Sequence, residues 1–254
     1  MPTATPPHPV LDRYYAREGD RHSFVTTLFD GAAKYYDRVG HVLALGSGPF
    51  YRRNALHRAG LRRGMKLLDV ATGTGQVARA ATRILRAPSH VLGLDPSAGM
   101  LREARKVHAG PLVRARAEAM PLRGEAFDML SMGFALRHVA TLENVFAEYR
   151  RVLKPGGRLL LLEVSCPQSA ATRSVIRVYF QRVLPWLIRL VTRNPHAPLL
   201  MEYYWDTIAE CVPHATILAA LHQTGFVDVQ HRMFGGFISE YLARKPLPGE
   251  TSHR

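Results

Sequence analysis

The chain has 254 residues and a hydrophobic fraction of 47%, enough for a substantial core, which excludes a wholly disordered protein. Its two cysteines, Cys166 and Cys211, cannot form a disulfide framework, and no CxxC pair offers a zinc site. The first twenty residues lack the apolar region of a signal peptide, and the longest charge-free run within residues 175–191 is too short to span a membrane. We therefore expect a soluble cytoplasmic protein without a bound metal.

The charge balance is strongly basic, with 34 Lys and Arg against 20 Asp and Glu, a net charge of +14. A charge of this sign raises nucleic acid and anionic membrane as partners. The basic residues are scattered rather than grouped into a block, so they can also be ordinary solvated side chains. If the charge has a function, a membrane surface is favoured over nucleic acid.

Composition and spacing change along the chain and predict its domain organisation. Residues 1–19 include the Pro-rich stretch TATPPHP and are predicted to form a disordered N-terminal tail. Residues 20–62 place Phe24, Leu28 and Tyr35 at helical spacings and predict an N-terminal helical cap. Residues 63–245 are predicted to form the main domain, with 166–212 as a helical insertion, and residues 246–254 a second tail.

Within the main domain, short apolar runs alternate with helical patterns. The predicted strands are residues 66–71, 90–95, 112–115, 127–132 and 158–164, and the predicted helices are 76–85, 97–107 and 142–153. After the insertion come a helix at 215–224 and two strand-like runs, 226–231 and 237–243, joined at a Gly-Gly turn. The pattern predicts an α/β fold with a mostly parallel seven-stranded sheet and a C-terminal antiparallel hairpin at its edge.

A glycine-rich turn follows the first predicted strand. Residues 73–78 satisfy the GxGxx[GA] pattern of dinucleotide-binding turns, and Asp95 lies 20 residues beyond Gly75. Asp69 argues against a dinucleotide, because a carboxylate at the strand end would repel a pyrophosphate and attract an ammonium. Two further segments, EAMPL at 118–122 and LKPGGRL at 153–159, are foreign to dehydrogenases. The alternative is a turn that only links strand to helix.

Together, these segments resemble the class I S-adenosylmethionine methyltransferases over about residues 63–165. The resemblance implies a Rossmann-like fold and S-adenosyl-L-methionine as cofactor, with Asp69 facing its ammonium group and Asp95 its ribose hydroxyls. Arg116 stands where the family has an Asn or Asp for the adenine. The implied cofactor-binding residues are Asp69, Thr72, Gly73, Thr74, Gly75, Asp95, Pro96, Met100, Arg116, Ala117 and Gly133.

Four segments narrow the resemblance to the UbiE/COQ5 family of quinone C-methyltransferases. They are FDGAAKYYD at 29–37, GFALRHV at 133–139, RRVLKPGG at 150–157 and YYWDTI at 203–208. The resemblance covers roughly residues 24–245. Departures include His138 for the family's Asn, Gly133 for its Ser and Ala135 for its Gly, so a divergent paralogue acting on another ring stays an alternative.

The family chemistry is methyl transfer to a ring carbon of a polyprenyl hydroquinone. It implies a positive group for phenolate charge, which Arg137 suits, and a group that orients or deprotonates the hydroxyl. Candidates for the second role are His138, Tyr36 and Asp37. Each has an alternative: an ion pair holding the cap for Arg137, and packing for His138 and Tyr36. The implied substrate-binding residues are Tyr203, Tyr204 and Ile208.

The amphipathic segment 169–200 is studded with arginines. We interpret it as a substrate lid over the prenyl tail that touches lipid headgroups through Arg173, Arg177 and Arg189, or else as a helix packed on the sheet. The expected partners are a small-molecule prenylated hydroquinone, the inner face of the membrane as a peripheral contact, and a second copy of the chain or a quinone-biosynthesis complex, but no nucleic acid.

The sequence therefore predicts C-methylation of a polyprenyl benzoquinol or naphthoquinol in ubiquinone or menaquinone biosynthesis. A methyltransferase of another aromatic, a natural product or a lipid headgroup is the first alternative. A non-catalytic scaffold is the second, although the intact set of Asp69, Gly73, Gly75 and Asp95 argues against it. The chain lacks a base-flipping motif for nucleic-acid methylation and an acidic cluster for a metal-dependent catechol enzyme.

Overall fold

The computed structural model describes residues 5–43, 46–166, 169–184, 186 and 197–250. Its strands are β1 (Leu67–Val70), β2 (Val91–Asp95), β3 (Leu112–Arg114), β4 (Phe127–Gly133), β5 (Leu153–Val164), β6 (Val227–Phe234) and β7 (Ile238–Arg244). They form one seven-stranded sheet in the order β3-β2-β1-β4-β5-β7-β6. The first five strands are parallel, and β7 is antiparallel to both β5 and β6. This architecture confirms the predicted fold class.

The helices of the described residues lie before β1, between strands of the parallel part, and between β5 and β6. They are α1 (Arg21–Leu43), α2 (Gly48–Arg58), α3 (Gln76–Leu85), α4 (Ala98–Val107), α5 (Leu142–Val152), α6 (Ala170–Val178), α7 (Ala197–Ala209) and α8 (His214–Gln223). A π-helical turn, Tyr179–Val183, continues α6, and a 3-10 turn, Leu136–His138, follows β4. No described helix combines the length and apolar character needed to cross a membrane.

Alternate strand residues build a core on each face of the sheet. Leu67 and Met129 pack with α2 and α3 on one face, whereas Leu68 and Leu130 pack with α5 and α8 on the other. A third apolar cluster joins α1 to the π-helical turn and α7. Burial on both sides explains why β1 and β4 read as continuous apolar runs rather than as alternating ones.

The strand β5 starts earlier than the sequence indicated. The Gly-Gly segment was expected to be a tight turn before a strand at residue 158, but β5 begins at Leu153, which pairs with Phe127. The register then shifts, so that Met129 pairs with Arg158 and the residues between form an irregularity in the strand. Gly156 has a φ of 75°, a backbone conformation that glycine adopts without strain.

The N-terminal segment differs from the disordered tail that its composition favoured. The Val212 N–H donates to Pro7 O at 2.9 Å, and the Leu142 N–H donates to Thr5 O at 3.0 Å. The side chains of His8 and Tyr15 are buried. Aromatic side chains explain the difference, because the segment packs rings against α1 and α7 that a Pro-rich composition does not indicate.

Candidate active site

The glycine turn after β1 is built around a buried carboxylate. The hydroxyl of Thr72 donates to Asp69 Oδ2 at 2.6 Å, and the hydroxyl of Ser131 on β4 donates to Oδ1 at 2.7 Å. Burial raises the pKa of Asp69 to about 6 against the opposing effect of these hydrogen bonds. Gly75 has a φ of 80°, and a Cβ there would lie 3.2 Å from Ala104 on α4. Both features require glycine at this position.

A second buried carboxylate, Asp95, ends the neighbouring strand β2. Asp95 Oδ2 accepts the Gly73 N–H at 2.8 Å, and Oδ1 accepts the Ser97 N–H at 2.8 Å. Burial raises its pKa to about 6, which the two N–H donors oppose. Each carboxylate oxygen keeps a further lone pair, so Asp95 can accept hydrogen bonds from a diol at the cavity edge. This arrangement fits the ribose of S-adenosylmethionine.

A cavity of about 370 Å³ opens at the carboxyl ends of β1, β2 and β4. The strand order reverses between β1 and β4, which is where open α/β sheets bind ligands. Most of the residues proposed from the sequence line this cavity. They are Tyr36, Asp37, Thr72, Gly73, Thr74, Asp95, Pro96, Met100, Arg116, Ala117, Gly133 and His138.

Six proposed residues do not line the cavity: Asp69, Gly75, Arg137, Tyr203, Tyr204 and Ile208. Asp69 lies near the end of β1, before the glycine turn to which Gly75 belongs. Tyr204 and Ile208 belong to the apolar cluster between α1 and α7, and Tyr203 packs against the N-terminal segment. The α7 residues thus support the wall rather than form it.

Arg137 forms a buried ion pair in this structure. Its Nη1 donates to Glu163 Oε2 at 2.9 Å and to Phe134 O at 3.0 Å, and its side chain is fully buried. Burial opposes its charge, but Glu163 on β5 raises the pKa of Arg137 above its ordinary value. The guanidinium is therefore charged, and the carboxylate of Glu163 already balances that charge. This is the ion-pair alternative considered for Arg137, with β5 rather than the cap as the partner.

His138 and Tyr36 lie beside the cavity, and each contacts a tyrosine of α7. The hydroxyls of Tyr36 and Tyr204 are hydrogen-bonded to each other. His138 Nδ1 lies 3.3 Å from the Tyr203 hydroxyl, and the two rings stack. Burial, reinforced by Arg137, holds the pKa of His138 well below its ordinary value. The imidazole is therefore neutral at pH 7, and its Nε2 has no partner among the described residues.

Two carboxylates of α1 accept hydrogen bonds that hold this helix against the starts of α3 and α4, beside the cavity. Asp30 accepts the Ser97 hydroxyl and, at 2.7 Å, the Gly99 N–H at the start of α4. Asp37 accepts the Thr74 hydroxyl and, at 2.8 Å, the Gln76 amide at the start of α3. Both oxygens of Asp37 thus bind side chains of the protein itself, which differs from the free base that the sequence suggested.

Several residues of the cavity wall were not predicted from the sequence. They include apolar side chains from α1 and from the loop after β4: Val25, Phe29, Phe134 and Val139. Phe29 could have been found, because it opens the segment FDGAAKYYD. Arg52 on α2 also lines the cavity and carried no sequence signal, since it stands among many scattered arginines.

The sheet order, the glycine turn and the buried Asp95 define a class I S-adenosylmethionine-dependent methyltransferase. The fold is similar to that of an S-adenosylmethionine-dependent methyltransferase from Thermotoga maritima, with a TM-score of 0.61 at 18% identity, over 87% of this chain and 99% of that one. The chain belongs to the ubiE/COQ5 methyltransferase family, whose profile matches residues 16–245.

Two relatives have a higher sequence identity to this chain than that structure does. The chain is 33% identical to the demethylmenaquinone methyltransferase of Mycobacterium bovis, over 87% of this chain and 92% of that protein. It is 34% identical to the ubiquinone/menaquinone biosynthesis C-methyltransferase UbiE of Syntrophotalea carbinolica, over 88% and 94% of the two chains. These findings confirm the predicted family, the enzyme class and S-adenosyl-L-methionine as cofactor.

Proposed function

We propose that this protein methylates a ring carbon of a prenylated benzoquinol or naphthoquinol in ubiquinone or menaquinone biosynthesis. The observation that carries the proposal is the similarity over most of the chain to two relatives named for this chemistry. The cavity supports it, because Phe29, Phe134 and Val139 offer apolar and aromatic surface for a ring beside the polar edge at Asp95.

The residues of the cavity edge fit the cofactor. Asp95 would accept the ribose hydroxyls, and the backbone of the turn at Gly73 and Thr74 lies beside it. Ala117 and Met100 offer apolar contact for an adenine ring. When bound, S-adenosylmethionine supplies a methyl group on a positively charged sulfur, the electrophile that a nucleophilic ring carbon requires.

The acceptor side of the cavity supplies a proton acceptor and excludes water. His138 lies at the cavity wall and its Nε2 is buried without a partner among the described residues, so it can take the proton of a ring hydroxyl only once a rotation of the imidazole turns Nε2 into the cavity. Burial raises the pKa of Tyr36, which keeps its hydroxyl protonated and able to donate. The surrounding apolar side chains limit competing hydration of the acceptor.

The test is product analysis with purified protein, S-adenosylmethionine and quinols that lack the ring methyl. We expect one methyl group on a ring carbon, identified by mass spectrometry and by carbon NMR with a labelled methyl donor. Catechols and phosphoethanolamine serve as acceptors for the alternative functions. Methylation of one of these, with no turnover of either quinol, would overturn the proposal.

We also propose that the α6 region contacts an anionic membrane, where a prenylated substrate resides. The side chains of Val175 and Trp186 are 69% and 61% exposed, next to exposed Arg177 and Arg182. Apolar side chains beside arginines match an anionic lipid surface. Arg189, which the sequence also implicated, lies outside the described residues.

Vesicle binding tests this contact. Replacing Arg177 and Arg182 with Gln should weaken binding to vesicles that contain phosphatidylglycerol, and high salt should have the same effect. The matched control replaces exposed Arg83 and Arg102, on α3 and α4, and removes the same charge elsewhere. Equal loss in both variants would contradict a contact through α6.

A further inference from the structure

Three arginines line the cavity, and their surroundings differ. Arg116 pairs with Glu118 at 3.5 Å, and Arg79 is exposed on α3. Arg52 is half-buried on α2, and no acidic group lies within ion-pair distance of it among the described residues. Its guanidinium carbon lies 5.6 Å from the centre of the Phe134 ring. Arg52 is thus the cavity's half-buried cation without a counterion.

The ring of Phe134 lies beside this guanidinium at the cavity wall. Phe134 has a φ of 62°, a conformation that an aromatic residue adopts at a cost, and its N–H donates to Leu162 O at 2.6 Å. Arg52 lies over the face of this ring, which belongs to the loop that follows β4. A cation stacked on a ring keeps its hydrogen-bond donors free at the edges of the guanidinium plane.

An unpaired cation in a partly dehydrated cavity favours an anionic ligand. Burial lowers the pKa of Arg52, and the opposing groups, in order of strength, are Tyr36, Asp37 and Asp69. Tyr36 and Arg52 both line the cavity. Arginine nevertheless stays charged at any physiological pH. An oxyanion bound near Tyr36 would complete its coordination.

We propose that Arg52 is a catalytic residue that binds the ring oxygen of the acceptor while that oxygen carries negative charge. The proposal rests on the proposed function. The ring hydroxyl gives its proton to His138 or water, and the ring carbon forms a bond to the methyl carbon. The methyl–sulfur bond would break with its electron pair on sulfur, the methylated ring carbon would lose its proton to solvent, and the ring oxygen would regain a proton, which restores the aromatic quinol.

The different surroundings of buried Arg137 and half-buried Arg52 explain why this role falls to Arg52. Arg137 is neutralised by Glu163 and does not line the cavity, whereas Arg52 lines the cavity and its donors have no partner among the residues that the structure describes. A guanidinium fixed before the reaction stabilises developing oxygen charge without reorganisation. It also lowers the pKa of the bound hydroxyl, so that more acceptor is reactive near neutral pH.

The experiment compares Arg52→Gln and Arg52→Lys with the wild type. The readouts are the single-turnover methylation rate of the quinol that the wild type accepts, its pH profile, the affinity for S-adenosylhomocysteine and thermal melting. Arg53→Gln is the matched control, because Arg53 is the next residue on α2 and its exposed guanidinium lies over Phe50. It removes the same charge from the same helix.

We expect Arg52→Gln to lower the rate on the order of 10²–10³-fold with an unchanged affinity for S-adenosylhomocysteine. The loss should shrink as pH rises, because the acceptor then ionises without help, and Arg52→Lys should restore part of the rate. Arg53→Gln should behave as the wild type.

Two results would overturn the proposal while the wild type still methylates its quinol. One is a near-normal rate in folded Arg52→Gln. The other is a loss of affinity for S-adenosylhomocysteine that accounts for the rate loss, which would assign Arg52 to the cofactor's carboxylate. A wild type inactive on every quinol would instead refute the proposed function, and this inference with it.

Discussion

Asp95 combines two structural hydrogen bonds with a place at the cavity edge. Its carboxylate holds the N–H groups of Gly73 and Ser97 and faces the space where a ribose would lie. Asp95→Ala should weaken S-adenosylmethionine binding by about 1.5–3 kcal/mol, roughly tenfold or more, because charge-assisted hydrogen bonds are lost. Calorimetric titration measures this effect. Unchanged affinity in a folded variant would contradict the ribose contact.

Arg137 and Glu163 form a buried ion pair. Removing only one of the two charges should destabilise the protein. Arg137→Met leaves Glu163 buried without its partner and should lower the free energy of unfolding by about 3–5 kcal/mol. The double variant with Glu163→Leu should recover much of this stability, because both charges are then absent. Denaturant unfolding provides the comparison. If Arg137→Met melts like the wild type yet loses methyl transfer, the catalytic role first considered for Arg137 is correct.

A residue's place in the site could be predicted from the sequence where that place depends on local spacing along the chain. Asp95 could be predicted because strand, turn and acid follow one another along the chain. The partner of Arg137 could not, because Glu163 lies on the adjacent strand β5, and only the folded sheet brings the two together. Arg52 has no local signature at all, and only the cavity distinguishes it from the other arginines.

At the element scale, α1 is the helix that closes the cavity. Asp30 and Asp37 lie seven residues apart, so they share one face of α1 and reach the starts of α4 and α3. Asp30 satisfies a backbone donor at the start of α4, whereas Asp37 accepts only from side chains, and both carboxylates interact favourably with a helix dipole. The cavity wall therefore depends on two contacts between α1 and the sheet-covering helices.

Asp30→Ala should loosen α1 without unfolding the sheet. We expect the free energy of unfolding to fall by about 0.5–2 kcal/mol, as for a lost helix cap. Relative to the wild type, amide hydrogen exchange should become faster in α1 but not in β1 or β4. Lys34→Ala, an exposed position on the same helix, is the control. Unchanged exchange in α1 of Asp30→Ala would show that the apolar contacts of α1 hold it without the carboxylate.

Element boundaries were predictable where periodicity and burial coincide. The helix α3 begins and ends where its apolar spacing indicated, because Val77, Ala78, Ala81 and Leu85 all face the core. The start of β5 was not, because Pro155 and two glycines read as a turn although the backbone continues along β4. The N-terminal segment was missed for a related reason, since its contacts are with residues far along the chain.

For the whole molecule, buried neutral histidines couple stability to pH. Burial, reinforced by Arg21 and Arg137, lowers the pKa of His8 from 6.5 to about 4. Above pH 6.5 both the folded and the unfolded chain hold it neutral. As pH falls from 6.5 towards 4, only the unfolded chain takes up the proton, so stability falls by up to about 1.4 kcal/mol per pH unit. Asp69 and Asp95 act oppositely, because their raised pKa values favour the folded chain as pH falls through about 6.

Thermal melting of His8→Asn between neutral pH and pH 5 isolates this contribution. The variant should show a shallower loss of stability on acidification than the wild type, because one acid-sensitive group is absent. Exposed His57→Asn is the control and should follow the wild-type curve. Parallel curves for His8→Asn and the wild type would contradict a buried, neutral His8.

The central claim is that this cavity transfers a methyl group to a quinol ring carbon. The most direct measurement is the structure of the product formed from methyl-labelled S-adenosylmethionine and a demethylated prenyl quinol, determined by carbon NMR. We expect a labelled methyl group on a ring carbon, formed by the wild type and strongly reduced in Asp95→Ala. A label found on oxygen, or no label transferred to any quinol by a protein that binds S-adenosylmethionine, would contradict it.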